Sequence, residues 1–377
     1  MTVFNVQILL VSSQAAPNLL AALDPALKPQ EAVLMVSSKM QARAEALEAV
    51  LSEAGVKTVR ISLEDEHDFD KLEDALIAVA SAREGQSIAL NVTGGTKLMA
   101  LAAQSVAQAY CWPVFYVDVD TDEVIWLGKG SLRHKLNQQL RLTHYLRGYG
   151  ITLKNGVERP QPNQRHNDLL QTLTTQVGSL EQPLSLLNWL GQQAEDRRTL
   201  CIKLEPYQLD SRSLESLIRN FTDAEVLHLE NGILTFQNES ERTFAKGGWL
   251  EHYVYRAVAN ATGELGIRDK AANLFVTDAS NVNNELDIAF MARNRLFVIE
   301  CKTARMDKPE APKANDTLFK LSEICRRVGG LGTRGMLASY RPLRESEKKL
   351  AKALNIELVC GQELARLNER LKNWVRQ

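Results

Sequence analysis

The first 150 residues alternate short apolar runs with stretches in which apolar residues recur every three or four positions. The apolar runs predict strands, and the stretches between them predict helices. The predicted strands are residues 4–11, 32–36, 58–61, 87–92, 114–119 and 124–127, and the clearest helices are residues 40–54, 68–83 and 97–109. Apolar strands that alternate with helices form parallel sheets covered by helices on both faces. We therefore expect an α/β domain with a parallel, doubly wound sheet over residues 1–150.

A second pattern follows at residues 155–245. Pro160 and Pro162 lie among polar residues and glycine, which predicts a linker. Helices are predicted at residues 167–177, 184–192 and 211–221, and strands at residues 226–229 and 233–236. The two strands flank Asn231-Gly232, which is a strong hairpin signal. Helices followed by a small hairpin favour a winged-helix-like connector. A DNA-reading role is open, but the acidic balance of the region favours a structural spacer.

A hairpin is predicted in the C-terminal part, residues 246–377. Its strands are residues 286–291 and 296–302, and Arg293-Asn294 is the natural turn centre because Asn tolerates a left-handed backbone. If those two residues form the loop, Ala292 pairs with Arg295. Counting outward then puts Asp287 opposite Glu300, with Cβ atoms roughly 4.5–5.5 Å apart.

The charged residues of this hairpin converge on one patch. Side chains alternate along a strand, so Glu300 and Lys302 share a face. Two carboxylates at so short a distance repel each other unless a cation lies between them. Oxygen ligands favour Mg²⁺ or Mn²⁺ as that cation. A lysine beside such a site can hold a water or stabilise charge on a scissile phosphate. The alternative is a charged, solvated edge hairpin.

An upstream helix offers a third carboxylate. Leu250, Val254, Val258 and neighbouring alanines form its apolar stripe, and Glu251 borders that stripe. Glu251 can therefore face inward as a metal ligand, although it could also be an ordinary carboxylate on the flank of a helix. The candidate catalytic residues are Glu251, Asp287, Glu300 and Lys302, and the candidate metal ligands are Glu251, Asp287 and Glu300.

Small polar residues follow three of the N-terminal strands. Ligands bind beyond the carboxyl ends of parallel strands, where glycine and helix N-termini favour phosphate. The candidate ligand-binding residues are Ser12, Ser13, Gln14, Ser37, Ser38, Lys39, Thr93, Gly94, Gly95, Thr96 and Lys97. The last of these loops is not a Walker A loop, because the early Gly is missing and Leu98 follows Lys97. We expect nucleotide binding without triphosphate hydrolysis; the alternative is a set of ordinary helix caps.

The net charge of −1 hides an asymmetry between the two parts of the chain. Residues 1–240 carry 21 Lys and Arg against 29 Asp and Glu, whereas residues 241–377 carry 24 against 17. A basic surface around an acidic metal site suits a polyanionic substrate. Five scattered cysteines without a Cys-x-x-Cys pair favour reduced thiols and a cytoplasmic location. The apolar run near the N-terminus is too short for a signal or membrane segment, so no membrane partner is expected.

Glu251 on a helix, followed by Asp287, Glu300 and Lys302 on a hairpin, resembles the PD-(D/E)xK nuclease superfamily. The resemblance covers about residues 245–377 and implies a restriction-endonuclease-like α/β domain at residues 246–377. Leu286 stands where the motif often has Pro, a position that varies widely in the superfamily.

The run Asn91-Val92-Thr93-Gly94-Gly95-Thr96-Lys97-Leu98-Met99 resembles the ligand loop of CRISPR-associated Rossmann-fold (CARF) sensor domains. A CARF domain joined to a PD-(D/E)xK nuclease is similar to the Card-type CRISPR ancillary nucleases of type III systems. That resemblance implies a homodimer that binds a cyclic oligoadenylate, most often cyclic tetra-adenylate, across its twofold axis. It also implies that the ligand switches on cleavage of single-stranded DNA or RNA and nicking of DNA in antiviral defence.

Two other functions stay open. One is a transcription regulator that combines the sensor with the winged helix and carries a degenerate nuclease domain; Asp287, Glu300 and Lys302 argue against it. The other is a ring nuclease that degrades its own ligand, which the lack of an obvious acid–base pair in the sensor disfavours.

Overall fold

The N-terminal domain is built on a seven-stranded sheet. The structure, a computed structural model, describes residues 4–128, 130, 132–155, 163–278, 280–304 and 313–377. The strands are β1 (Val6–Leu10), β2 (Glu31–Val36), β3 (Lys57–Ser62), β4 (Ile88–Asn91), β5 (Val114–Asp118), β6 (Glu123–Leu127) and β7 (Arg133–Lys135). The order is β3-β2-β1-β4-β5-β6-β7, and the first five strands in that order are parallel, whereas β6 and β7 run antiparallel.

Helices cover both faces of this sheet, as predicted for a doubly wound fold. They are α1 (Ala16–Leu23), α2 (Gln41–Glu53), α3 (Phe69–Ser81), α4 (Lys97–Ala109) and α5 (Leu142–Gly148). Every residue of β1 is buried; Leu9 packs in a core with α1, α2 and α5, while Ile8 and Leu10 pack with α3 and α4. Asp68 caps α3 by accepting a hydrogen bond from the Lys71 N–H. The predicted α/β class is confirmed.

The connector contains helices followed by a hairpin, as the pattern predicts. Its elements are α6 (Asn167–Thr175), α7 (Val177–Asp196), β9 (Cys201–Lys203), α8 (Pro206–Leu209), α9 (Arg212–Asp223), β10 (Leu227–Glu230) and β11 (Ile233–Phe236), and the strands form an antiparallel sheet in the order β10-β11-β9. The prediction that the second helix begins at residue 184 is wrong. Helix α7 continues through Pro183, which is buried beside Leu180 and Leu184, so packing outweighs the hydrogen bond that proline cannot donate. The predicted linker around Pro160 lies outside the described residues.

The C-terminal domain contains a six-stranded mixed sheet in the order β16-β15-β14-β13-β12-β8. Its strands are β8 (Thr152–Leu153), β12 (Ile267–Thr277), β13 (Asn283–Ala292), β14 (Arg295–Lys302), β15 (Arg334–Ser339) and β16 (Ile356–Cys360). Its helices are α10 (Glu239–Thr243), α11 (Trp249–Asn260), α12 (Thr262–Leu265), α13 (Lys313–Gly329), α14 (Glu345–Ala353) and α15 (Leu367–Arg376). Over the described residues, every helix is too short or too polar to span a membrane.

Neighbouring domains share their hydrophobic cores. One core combines Leu9 and Leu146 of the N-terminal domain with Val298 and Leu318 of the C-terminal domain. A second combines connector side chains such as Phe221 with the C-terminal helix α11 and strand β14. Strand β8, which precedes the connector in sequence, pairs antiparallel with β12 at the edge of the C-terminal sheet. The C-terminal domain is therefore packed against both other parts of the chain.

Candidate functional site

The hairpin of β13 and β14 has the predicted register. Arg293 and Asn294 have φ values of 50° and 54°, as a two-residue turn with the favoured twist requires. Ala292 pairs with Arg295, and the ladder continues in step as far as the pair of Ile288 with Ile299. Each strand extends beyond the predicted bounds. Because the register holds, Asp287 and Glu300 come next along the ladder.

Lys302 lies between the two carboxylates of the hairpin. Its Nζ atom is 2.6 Å from Glu300 Oε1 and 3.9 Å from Asp287 Oδ2. Asp287 Oδ2 also accepts a hydrogen bond of 2.7 Å from the backbone N–H of Cys301. The side chains of Asp287 and Glu300 are only 13% and 14% exposed, so their charges interact through protein more than through water.

Burial and like charge raise the pKa values of two carboxyl groups here. Burial first, and then the negative charge of Glu300, raises the pKa of Asp287 to about 6, although Lys302 and the Cys301 N–H oppose the change. Burial, followed by the charges of Asp287 and Glu285, raises the pKa of Glu251 to about 8. Burial lowers the pKa of the Lys302 ammonium, but Glu300 and Asp287 outweigh it and raise that pKa above its usual value. We call Glu251, Asp287, Glu300 and Lys302 the carboxylate site.

Helix α11 brings Glu251 to this site. Leu250, Val254 and Val258 are buried as the predicted apolar stripe, and Glu251 lies half-buried in the first turn. A π-helical turn, Phe244–Gly248, precedes the helix and approaches the end of β14 closely. At Gly247, which has a φ of 144°, an added Cβ would lie 2.5 Å from Thr303 Oγ1. Glycine thus permits the close approach of α11 to the residue that follows Lys302.

The donor set of the carboxylate site consists of oxygens, which suits Mg²⁺ or Mn²⁺. Among the described residues, no group of three His, Cys, Asp or Glu side chains is already assembled at metal-binding distances. The Lys302 ammonium instead bridges Asp287 and Glu300. Sequence reasoning missed Glu285, whose charge also acts on Asp287 and Glu251; the two-residue alternation from Asp287 could have identified it.

A second candidate site is the interdomain cleft, a cavity of about 760 Å³ between the N-terminal and C-terminal domains. Five predicted ligand residues line it, namely Ser12, Ser13, Gln14, Thr93 and Gly95. The Thr93 hydroxyl donates to Asn91 Oδ1 and accepts from the Val117 N–H, and the Tyr149 hydroxyl donates to Gln14 Oε1 at 3.3 Å. These bonds fix polar groups at the cleft before any ligand arrives.

The other predicted ligand residues do not line the cleft. Ser37 is buried, Ser38 is exposed, and Lys39 lies 3.8 Å from Glu66. Gly94 is buried against the Leu10 carbonyl, Thr96 caps α4 by accepting from the Met99 N–H, and Lys97 is exposed.

Strand order explains part of this division. Residues 37–39 follow β2, which lies on the other side of β1 from β4 and β5. Gly94, Thr96 and Lys97 follow β4 itself, so their position outside the cleft comes from the local path of the loop and the start of α4. Sequence reasoning missed the cleft residues of strand β5 and the loop after it, of α5 and its C-terminal end, and of the C-terminal domain, which include Tyr116, Asp118, Asp120, Tyr145, Tyr149, Arg295 and Arg334. Sequence-based identification of the parallel strands could have indicated the β5 loop, but not the order of those strands.

The chain matches two family models. Residues 6–145 match the Card1 CARF domain, and residues 238–377 match the Card1-like endonuclease domain. Among curated proteins, none matches this chain by sequence.

Two solved structures are similar over nearly the whole chain. Protein VC1899 from Vibrio cholerae is 27% identical over 98% of both chains, with a TM-score of 0.91. Can2 from Sulfobacillus thermosulfidooxidans, solved in complex with cyclic tetra-adenylate, is 25% identical over 98% of this chain and 99% of its own, with a TM-score of 0.83. A type III CRISPR defence DNA nuclease activated by cyclic oligoadenylate shares the fold at 18% identity and a TM-score of 0.62; the match spans 100% of this chain and 52% of that nuclease.

Proposed function

Since the chain belongs to the CARF-domain nucleases, with a Card1-type sensor joined to a Card1-like endonuclease domain, we propose that it is a metal-dependent phosphodiester endonuclease that cyclic tetra-adenylate activates. Its role is in type III CRISPR antiviral defence. The proposed substrates are single-stranded DNA, duplex DNA that becomes nicked, and RNA.

The observation that carries the proposal is the crowding of carboxylates at the carboxylate site. Burial, and after it the negative charges of neighbouring carboxylates, raises the pKa values of Asp287 and Glu251. A cation relieves such a conflict, and Glu251, Asp287 and Glu300 would hold the Mg²⁺ or Mn²⁺ ion. When bound, the ion supplies a Lewis acid for the phosphate and lowers the pKa of a water molecule.

The protein's own groups support this chemistry in distinct ways. The Cys301 N–H orients the Asp287 carboxylate by a hydrogen bond to Oδ2. The raised pKa of Lys302 keeps its ammonium protonated at neutral pH, so it is a poor general base. We therefore assign Lys302 to stabilising negative charge on the phosphate or holding the attacking water.

The interdomain cleft supports the identity of the activator. Hydroxyl and amide groups of Ser12, Gln14 and Thr93 lie there, and Can2, which is similar over nearly the whole chain, was solved with cyclic tetra-adenylate. Residues 37–39 and 94–97 remain proposed ligand residues, to which a second copy of the chain would add its own loops.

A homodimer is part of the proposal because a twofold pair of sensors suits a symmetric cyclic ligand. Size-exclusion chromatography with light scattering should give about twice the chain mass of 42.1 kDa. A strict monomer with the ligand bound would contradict the shared site.

The five cysteines are all free thiols, which agrees with the expected cytoplasmic location.

The function is tested by incubating the purified protein with Mn²⁺ and labelled DNA or RNA, single-stranded and double-stranded, with and without each cyclic oligoadenylate. We expect cleavage that requires both the metal and cyclic tetra-adenylate. Equal cleavage without any cyclic nucleotide would refute ligand activation. A nuclease-inactive protein that binds the ligand would favour the transcription regulator, and loss of the ligand during incubation would favour a ring nuclease.

A further inference from the structure

Four charged side chains line the interdomain cleft: Asp118, Asp120, Arg295 and Arg334. Both acidic residues belong to the N-terminal domain, and both arginines belong to the C-terminal domain. The predicted ligand residues of the cleft are neutral hydroxyl, amide and glycine groups. Within the described lining, the nuclease domain therefore supplies every positive charge that an anionic ligand would meet.

The two arginines begin neighbouring strands of the C-terminal sheet. Arg295 is the first residue of β14 and Arg334 is the first residue of β15, which pairs with β14 in parallel. Strand β14 ends with Glu300 and Lys302 of the carboxylate site. An anion held by these arginines would thus bind directly to the strand that carries the candidate catalytic residues.

The N-terminal domain contacts the turn that joins β13 to β14. Asn294 is buried; its Nδ2 donates to Asp122 Oδ1 at 2.8 Å, and its Oδ1 accepts from the Leu140 N–H at 2.9 Å. Beside it, Arg295 Nη2 donates to Asp120 Oδ1 at 2.5 Å. The bonds of Asn294 to Asp122 and Leu140 hold the turn without involving Arg295, so the charged contact at Arg295 can change partner while the turn stays in place.

The two arginines differ in whether their side chains already have an anionic partner. The Arg295 side chain is 15% exposed and is paired, whereas its partner Asp120 is 82% exposed. Asp120 can therefore rotate into water at little cost once another anion binds Arg295. The Arg334 side chain is half-buried and makes no hydrogen bond or ion pair with any described residue. Partly buried guanidinium groups favour phosphate, to which they donate two parallel hydrogen bonds.

We propose that Arg295 and Arg334 form the phosphate-binding wall of the activator site, and that Asp120 occupies Arg295 until a phosphodiester of the cyclic oligonucleotide replaces it. The ligand then bridges the neutral loops of the sensor to strands β14 and β15 of the nuclease domain. This inference rests on the proposed function, because it identifies which residues bind that activator.

The test measures binding of cyclic tetra-adenylate to full-length variants by calorimetry. Arg295→Gln and Arg334→Gln should each raise Kd about tenfold or more, because each removes a charge-assisted hydrogen bond. Asp120→Asn should lower Kd several-fold, since it frees Arg295 from a competing anion. The matched control is Arg293→Gln: Arg293 is an exposed arginine of the same turn that does not line the cleft, and Kd should not change.

The sign of the Asp120 effect separates ligand binding from a purely structural brace. If the pair only holds the domains together, Asp120→Asn and Arg295→Gln weaken binding alike, and the proposal is wrong. It is also wrong if both arginine variants bind like the Arg293 control. Asp120 is exposed, so its variant should fold, and thermal unfolding checks this. If wild-type protein binds no cyclic oligoadenylate at all, the proposed activator fails, and this inference fails with it.

Discussion

The interdomain cleft and the carboxylate site place polar groups on a sheet in opposite ways. In the N-terminal sheet the residues of β1 are buried, and the cleft residues Ser12 and Gln14 lie in the loop beyond it. In the C-terminal sheet Asp287, Glu300 and Lys302 lie within the strands themselves. The cleft residues are largely neutral and many are bonded to neighbouring groups, whereas the strand residues are charged and crowded.

This difference predicts different responses to mutation. In the proposed function several neutral donors share a ligand, so the loss of one should reduce affinity in part. The three carboxylates and the lysine are proposed to act as a unit, so the loss of one should remove most of the activity.

The largest effect is expected for Asp287→Asn and Glu300→Gln. Each change removes a charged oxygen while keeping the shape, so cleavage should fall about 10³-fold at saturating activator and Mn²⁺. Activator affinity, measured by calorimetry, should stay at the wild-type value because the cleft is untouched. Cleavage at the wild-type rate in either variant would refute the assignment of the carboxylate site.

A somewhat smaller loss is expected for Lys302→Ala. Its ammonium bridges Glu300 and Asp287, and its removal should lower the cleavage rate about 10²-fold at saturating Mn²⁺. Lys302→Arg keeps the positive charge and serves as the matched variant. If the Lys302→Arg variant binds the metal normally but recovers no activity, catalysis requires the geometry of the ammonium group as well as its charge. An alanine variant with wild-type rates would leave Lys302 without a catalytic role.

A graded effect is expected at the loop after β4. Thr96→Val or Lys97→Ala should raise the activator concentration for half-maximal cleavage about tenfold, through loss of one hydrogen bond to a charged group. Cleavage at saturating activator should recover. Lys71→Ala, at an exposed lysine on α3, is the control. Thr96 and Lys97 do not line the cleft of a single chain. If their variants titrate like the wild-type protein, these two residues are not part of the sensor.

The smallest effect concerns stability and pH. The pKa of Asp287 rises from 3.8 to about 6 and that of Glu251 from 4.5 to about 8, so the folded state binds their protons more tightly than the unfolded state. This stabilisation is complete below pH 4 and is lost as pH rises through 6 and then 8, by on the order of 1 kcal/mol per pKa unit. Urea unfolding of metal-free protein should show the decline. Asp287→Asn, which still accepts from the Cys301 N–H, should flatten the decline between about pH 4 and 6. An unchanged slope over that range would contradict the raised pKa of Asp287.

The sequence was most informative where local chemistry determines geometry. Arg293-Asn294 determines the turn, and the turn determines the register that brings Asp287 beside Glu300. Short strands such as β7 and β8 could not be predicted, because two or three residues carry no periodicity. The partners of a buried face could not be predicted either. The apolar run of β14 indicates that the strand is buried, but not that Val298 shares a hydrophobic core with the N-terminal domain. For the same reason Arg295 and Arg334 were missed.

The path of the chain through β8 matters for anyone who recombines such domains in a gene. Before the chain enters the connector, Thr152 and Leu153 already pair with β12, and Leu146 already belongs to the hydrophobic core that contains Val298. A chimera joined at residue 150 would keep β8 beside β12, but it would take Leu146 and the other N-terminal residues of the shared core from a foreign parent. A new sensor grafted onto this nuclease therefore has to match that shared core, even where the junction leaves β8 in place.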